Sequence, residues 1–153
     1  MKYITATKDD MTLLMQIRLE MLKVVNHLPS DYVFDNQLLT YSQTYFEKGN
    51  QTTVLAVEED TVVGCATLCY IEMMPTFSHL TGKRGHLMNV YTNSQYRRQG
   101  IASKMLDMLI QEAKEKGVTE ISLDATDCGK PLYEKFGFKQ SDECMVLNLV
   151  SEF

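Results

Sequence analysis

Residues 86–125, HLMNVYTNSQYRRQGIASKMLDMLIQEAKEKGVTEISLDA, set a strand-like run, a loop, a helical pattern and a second strand in direct succession. This is the stretch that most restricts what the chain can become. Two strands joined through a helix close a parallel pair, because a tight turn joins only antiparallel neighbours. The helical part is amphipathic: Ile101, Met105, Leu106, Leu109, Ile110 and Ala113 share one face, and Gly117 is a natural stop. Its entrance is unusual. Arg97 and Arg98 stand just before Gly100, where the helix dipole already places positive potential. Glycine lets backbone turn sharply and approach a ligand, and first-turn amides lack helical partners. Together they form an anion site, to which the two arginines add charge-assisted contacts. As a local string, the same residues also read as a solvated basic loop.

The rest of the chain supplies a sheet for this unit to join. KYITAT alternates as a short strand, and Thr7 with Asp10 resembles a helix start. Leu14, Ile17, Met21 and Val24 then repeat at helical spacing until Pro29. A more polar helix is expected from Asp35 to Lys48, ending at Gly49. TVLAV and TVVGCATLCYI, separated by EED, predict a hairpin, with Gly64 marking a bulge or a close approach. MMPTFSHLTGKRG reads as a loop, GKPLYEKF as a short helix with Pro131 in its first turn, and GFKQSDECMVLNLV as a turn and a last strand. The order β, α, α, β, β, β, α, β, α, β implies one α/β domain over residues 1–153, mixing a hairpin section with βαβ crossovers.

Charge and cysteine usage exclude several classes. Twenty acidic against 15 basic side chains, a formal charge of −5, argue against a nucleic-acid partner, which needs a basic face. MKYITATKDD has no apolar core of signal-peptide length, and no run approaches the roughly 20 residues that cross a bilayer. A cytoplasmic protein without a membrane partner is expected. Cys65 and Cys69 lie about 13 Å apart along a strand, too far to bridge, and Cys128 and Cys144 form no C-x-x-C. With His27, His79 and His86 scattered, no metal site is implied.

Other phosphate and nucleophile motifs are missing: there is no G-x-G-x-x-G, no G-x-x-x-x-G-K-[ST] and no G-x-S-x-G. A second motif lies downstream. Tyr133, in LYEKFGF, stands 33 residues beyond Gly100 on the short helix after the next strand. Here the chain closely resembles the GNAT superfamily of acyl-CoA-dependent N-acetyltransferases. NVYTNSQYRRQGIA matches that family's [QR]-x-x-G-x-[GA] motif through Arg97, Gly100 and Ala102, and LYEKFGF matches the segment carrying the family tyrosine. The order of elements agrees from about Tyr3 to Val150.

The resemblance implies a GNAT fold, a mixed central sheet of about six or seven strands flanked by about four helices, with splayed central strands. It implies acetyl-CoA (coenzyme A) as acyl donor. The pantetheine arm would pair with backbone near Asn89, Val90, Tyr91 and Thr92, and the pyrophosphate would sit on the turn formed by Arg97, Arg98, Gln99, Gly100, Ile101, Ala102 and Ser103. Some relatives carry Asn seven residues before the tyrosine and Ala four before it; here those positions are Thr126 and Gly129, which weakens one pantetheine anchor.

The implied reaction is direct acetyl transfer to a primary amine of a small molecule or peptide. An alkyl ammonium titrates near 10.4, so only about one molecule in 2,500 is neutral at pH 7 and a base is useful. Tyr133 is the candidate proton donor to the leaving thiolate, and a backbone amide near Val90 the candidate for the acyl oxygen. Glu72 is the preferred base, with Glu20, Asp124 and His86 as other candidates. The acceptor site is expected among Tyr32, Phe34, Tyr41, Tyr45, Met73, Met74 and Phe77, residues that equally suit a core or a dimer contact. Homodimers are common in the superfamily by analogy only. Two other readings stand beside the enzyme: a non-catalytic acyl-CoA-binding sensor or partner-binding module, and a nucleotide-binding module that recognises only the ADP half.

Overall fold

The computed structural model describes residues 1–141 and 143–150. Strand β1 (Lys2–Thr5) leads through a short 3-10 turn into helix α1 (Met11–Val25), followed by α2 (Asn36–Lys48). Strands β2 (Gln51–Glu58), β3 (Thr61–Glu72) and β4 (Lys83–Thr92) come next, then α3 (Ile101–Glu115), β5 (Glu120–Leu123) and α4 (Lys130–Lys135). The sheet order is β1-β2-β3-β4-β5. Every neighbouring pair is antiparallel except β4 and β5, whose parallel pairing follows from the α3 crossover between them.

Local chemistry accounts for the element ends. Thr7 and Asp10 form a reciprocal capping box ahead of α1, and the Asp35 side chain accepts from the Gln37 amide at the start of α2. The β2–β3 hairpin turns at Glu59, whose φ is +55°. Gly64 serves both expected roles. The β2–β3 register shifts beside it, and a Cβ there would stand 3.1 Å from the Tyr91 carbonyl and 3.3 Å from Met105.

Helices cover both faces of the sheet, so β2 and β3 are buried over most of their length. On one face, Val54, Ala56, Val63, Ala66, Leu68 and Leu87 meet Ile101, Met105, Leu106, Leu109 and Ala113 of α3. On the other, Leu55, Val57, Val62, Cys65 and Tyr91 meet Leu14, Ile17 and Met21 of α1. Val24, read as part of that stripe, lies past the sheet and is exposed. Leu106 is wholly inaccessible, so Leu106→Ala should remove about 2–5 kcal/mol of stability, read as a lowered urea midpoint at unchanged slope.

Two expectations need correction. Strand β4 begins at Lys83, because Lys83, Arg84 and Gly85 pair with Glu72, Ile71 and Tyr70; KRG therefore belongs to the sheet and not to the loop. The sheet has five strands among the described residues, not six or seven. The last strand, expected within 137–150, does not form among the described residues there. Met145, Val146, Leu147 and Leu149 are instead exposed, since β-rich composition makes a strand only where a partner edge pairs with it. Among the described residues no helix is long and apolar enough to cross a membrane.

Candidate active site

The site grows from a fault in β4. Met88 pairs with Thr67 and Tyr91 with Cys65, so two residues of β4, Asn89 and Val90, stand opposite one residue of β3. This is a β-bulge, and Asn89 absorbs it in the left-handed region at φ +58°. Asparagine tolerates that region better than most side chains. Its own side chain is held on both sides: Oδ1 accepts from Arg18 Nη1 at 3.1 Å, and Nδ2 donates to Thr67 Oγ1 at 3.3 Å. Thr67 in turn shares a 2.7 Å hydrogen bond with Thr53, and both threonines are buried. A polar chain thus fixes the bulge from below.

Beyond the bulge β4 and the edge strand β5 part. β5 pairs with β4 only from Arg84 to Leu87, whereas β4 continues to Thr92. The β5-facing edge of Asn89, Val90, Tyr91 and Thr92 therefore has no ladder partner among the described residues, which leaves its N–H and C=O groups open to a ligand or to water. This edge runs directly into the turn before α3. Asn93 caps that turn through the Gln95 amide, and Arg97 Nε donates to the Thr92 carbonyl at 3.2 Å, so Arg97 braces the loop. Arg98 and Gly100 both adopt positive φ, +62° and +76°. Gly100 caps α3 with no side-chain bond, and the first amide bonded back into the helix is that of Lys104. The amides of Ile101, Ala102 and Ser103 are left for an anion, and space around Gly100 is open, with nothing within 4 Å of a Cβ built there. Exposed Arg98 and Gln99 flank this opening. An extended ligand with a backbone-pairing arm and a phosphate end fits this edge and turn.

Tyr133 lies on α4, half-buried against the α3-side core that also takes in Val90. Its ring meets Phe138 edge-on at 5.9 Å. Burial pushes its phenol above the ordinary value, so it holds its proton at neutral pH. Gly129 permits this placement: a Cβ there would stand 3.0 Å from Tyr133 Cε2. Thr126 Oγ1 accepts from the Gly129 amide at 3.2 Å, so its hydroxyl is engaged in the turn that starts α4.

On the opposite face of the sheet a pocket of roughly 190 Å³ lies beside the bulge. Tyr41, Tyr45 and Phe46 of α2 form its wall, Thr67, Cys69, Met88 and Asn89 its sheet side, and Arg18 enters from α1. Of the expected acceptor residues, only Tyr41 and Tyr45 line it. Tyr32 packs on Phe34 at 5.1 Å, and Met73, Met74 and Phe77 are exposed on the β3–β4 connection.

The base candidates separate sharply. Glu72 lies five residues beyond Thr67 on β3, about 17 Å along the strand. It shares the face of Tyr70 and borders a cleft of roughly 370 Å³ near the C-terminal end of α3, with Lys83, Arg84, Glu115 and Lys116. The structure does not bring it to the bulge. Glu20 accepts from Asn93 Nδ2 at 3.1 Å, which ties α1 to the end of β4. Asp124 is exposed. His86 precedes Met88 by two residues on the pocket face, hydrogen-bonds Ser122 Oγ through Nδ1 at 2.8 Å, and has Nε2 3.7 Å from Asp124.

Sequence reasoning missed Arg18. The signal was present: Arg18 follows Leu14 by four and precedes Met21 by three, so a cation stands on the apolar stripe of α1.

The model of the Acetyltransferase (GNAT) family matches residues 15–138. A crystal structure of a predicted acetyltransferase with acetyl-CoA from Clostridium acetobutylicum is 33% identical, covers 97% of this chain and 96% of that one, and superposes with a TM-score of 0.84. The chain is 30% identical over 88 residues to a glucosamine 6-phosphate N-acetyltransferase of Trypanosoma brucei brucei, 58% of each protein. It is 28% identical over 116 residues to N-acetyltransferase 8 of Homo sapiens, 72% of this chain and 49% of that protein. The chain thus spans about half to three-fifths of the curated relatives it matches.

Proposed function

The chain belongs to the acetyltransferase (GNAT) family, and on that premise we propose that it transfers acetyl from acetyl-CoA directly to the primary amine of a small molecule or peptide. One observation carries the reading: the unpaired edge of β4 beyond Leu87 runs without interruption into the uncapped, glycine-led start of α3. An arm that pairs with backbone and ends in a pyrophosphate matches that continuous surface. Asn89, Val90, Tyr91 and Thr92 would hold the arm, and Arg98, Gln99 and the amides from Gly100 to Ser103 the phosphates, with Arg97 stiffening the loop between.

Acetyl-CoA supplies the acyl group as an activated thioester. The protein's own part is placement and proton handling. The amide of Val90, beside the bulge, would meet the acyl oxygen, where a donor is worth most as charge develops. The Tyr133 hydroxyl delivers a proton to the departing sulfur. We assign proton acceptance from the amine to His86 in preference to Glu72, because His86 shares the pocket face and Glu72 does not. A cytoplasmic location belongs to the same proposal, supported by four free cysteines of which Cys128 and Cys144 are exposed.

Thiol release from acetyl-CoA, measured with glucosamine 6-phosphate, simple alkyl amines and short peptides as acceptors, tests this reading. Stoichiometric acetylation of at least one amine is expected. Tight CoA binding with no acetylation across the panel would replace the enzyme by the sensor, and equal affinities for ADP and acetyl-CoA would replace both by a nucleotide site.

A further inference from the structure

Arg18 is a cation with no counter-ion among the described residues. It sits in the middle of α1 with its guanidinium turned inward toward β4, more than half buried, and its one hydrogen bond is to a neutral partner, the Asn89 amide oxygen. None of the ion pairs among the described residues includes it. Glu20, the nearest acid on its own helix, accepts from Asn93 instead. Desolvation disfavours a charge held this way unless something compensates it. A guanidinium carries five donors, and Arg18 uses one in the structure.

The remaining donors are not sealed inside. Among the described residues, the buried side-chain polar atoms without a partner are Arg84 Nε and Thr92 Oγ1, so the free nitrogens of Arg18 touch open space. That space is the pocket walled by Tyr41, Tyr45 and Phe46. Aromatic walls lower the local dielectric and strengthen attraction between the guanidinium and an anion inside. A planar fork of donors in such a setting matches a carboxylate or phosphate, which accept two parallel hydrogen bonds.

From this geometry we infer that the acceptor is a compact amine that also bears an oxyanion, a carboxylate or phosphate, gripped by Arg18 in the α1–α2 pocket. The inference rests on the acetyltransferase reading and adds the acceptor's charge. Asn89 is at once Arg18's partner and the bulge residue of the edge where the acyl group would lie, so anion and amine must be only a few bonds apart. The aromatic wall takes the apolar body between them.

The test uses two matched pairs on the full chain loaded with CoA or acetyl-CoA. One pair is 3-aminopropanoate against propylamine; the other is 2-aminoethyl phosphate against ethanolamine. The anionic member should be preferred in kcat/KM or in calorimetric Kd by about 10- to 100-fold, the range for a charge-assisted contact. Whichever pair shows the larger ratio identifies carboxylate or phosphate as the group. Arg18→Met should collapse that ratio toward one, mainly through KM, and Arg18→Lys should keep part of it. The wild-type ratio stands without any variant, so instability of Arg18→Met leaves the idea exposed to refutation. No preference for either anion, binding of none of the four probes, or equal loss for anionic and neutral acceptors in a folded Arg18→Met would overturn it. If anionic probes bind in an Arg18-dependent way yet none is acetylated, the anion site stands and the transferase reading fails.

Discussion

Tyr133→Phe is expected to lower kcat by about 10²- to 10⁴-fold while leaving the Kd for acetyl-CoA within about threefold. The substitution removes one oxygen and keeps the ring that packs edge-on against Phe138. Folding should therefore change little, and a thermal melt is the control. A proton donor must still own its proton at working pH, and burial raises the Tyr133 phenol above its ordinary value of 10. The sign follows. The donor form persists past pH 10, so kcat should show no alkaline decline from this residue below that point. The same shift contributes stability that is complete below the unfolded value of 10 and is lost as pH rises through the folded value, a loss Tyr133→Phe should lack. Cys65, pushed up to about 12 by burial, adds a second loss that begins above its unfolded value of 9. An alkaline limb in kcat well below pH 10 that survives in Tyr133→Phe belongs to another group. If the variant turns over at the wild-type rate when chemistry limits, the donor role is wrong. Gly129→Ala offers a gentler probe, since its methyl would press the Tyr133 ring without removing the hydroxyl.

What was legible in the chain was whatever its local chemistry sets. The α3 stripe, the capping box at Thr7, the Asp35 cap, the role of Gly64 and the glycine-led anion turn all depend on neighbours in sequence. The strand β4 was legible as a strand, but not its start at Lys83, because that is set by Glu72 and Ile71 across the hairpin. The pocket beside the bulge was only half legible. Tyr41 and Tyr45 were named, while Arg18, Thr67 and Met88 come from three separate elements that meet only after folding. Glu72 was attractive for ending the strand next to the expected cleft. Strand parity decides the matter: residues 68, 70 and 72 face α3, and 67 and 69 face the pocket. A one-residue difference in position puts the Glu72 carboxylate on the α3 face and not on the pocket face. The last strand failed for a related reason, since pairing and not composition makes a strand, and none forms within 143–150.

Asn89→Val should do more damage than the loss of any pocket side chain, because Asn89 holds three things together. Its φ of +58° makes the bulge, its Oδ1 holds Arg18, and its Nδ2 holds Thr67. A β-branched residue is a true outlier in that backbone region, at a cost of about 1–3 kcal/mol. Loss of the two hydrogen bonds adds about 1 kcal/mol each, and Thr67 and Arg18 are then left short of partners. The expected sum is about 3–5 kcal/mol, or relaxation of β4 into regular pairing with β3. Either outcome disturbs the backbone that shapes the β5-facing edge, so acetyl-CoA binding should weaken at least about tenfold. Asn89→Gly separates the causes. Glycine adopts positive φ freely and should preserve the bulge and the cofactor edge, yet it frees Arg18 from its one anchor. CoA affinity close to wild type, with a poorer grip on an anionic acceptor, is the expected signature. If instead Asn89→Gly loses CoA as completely as Asn89→Val, the amide side chain and not the backbone shape sustains the edge, and the bulge is a by-product of the Arg18–Asn89–Thr67 chain.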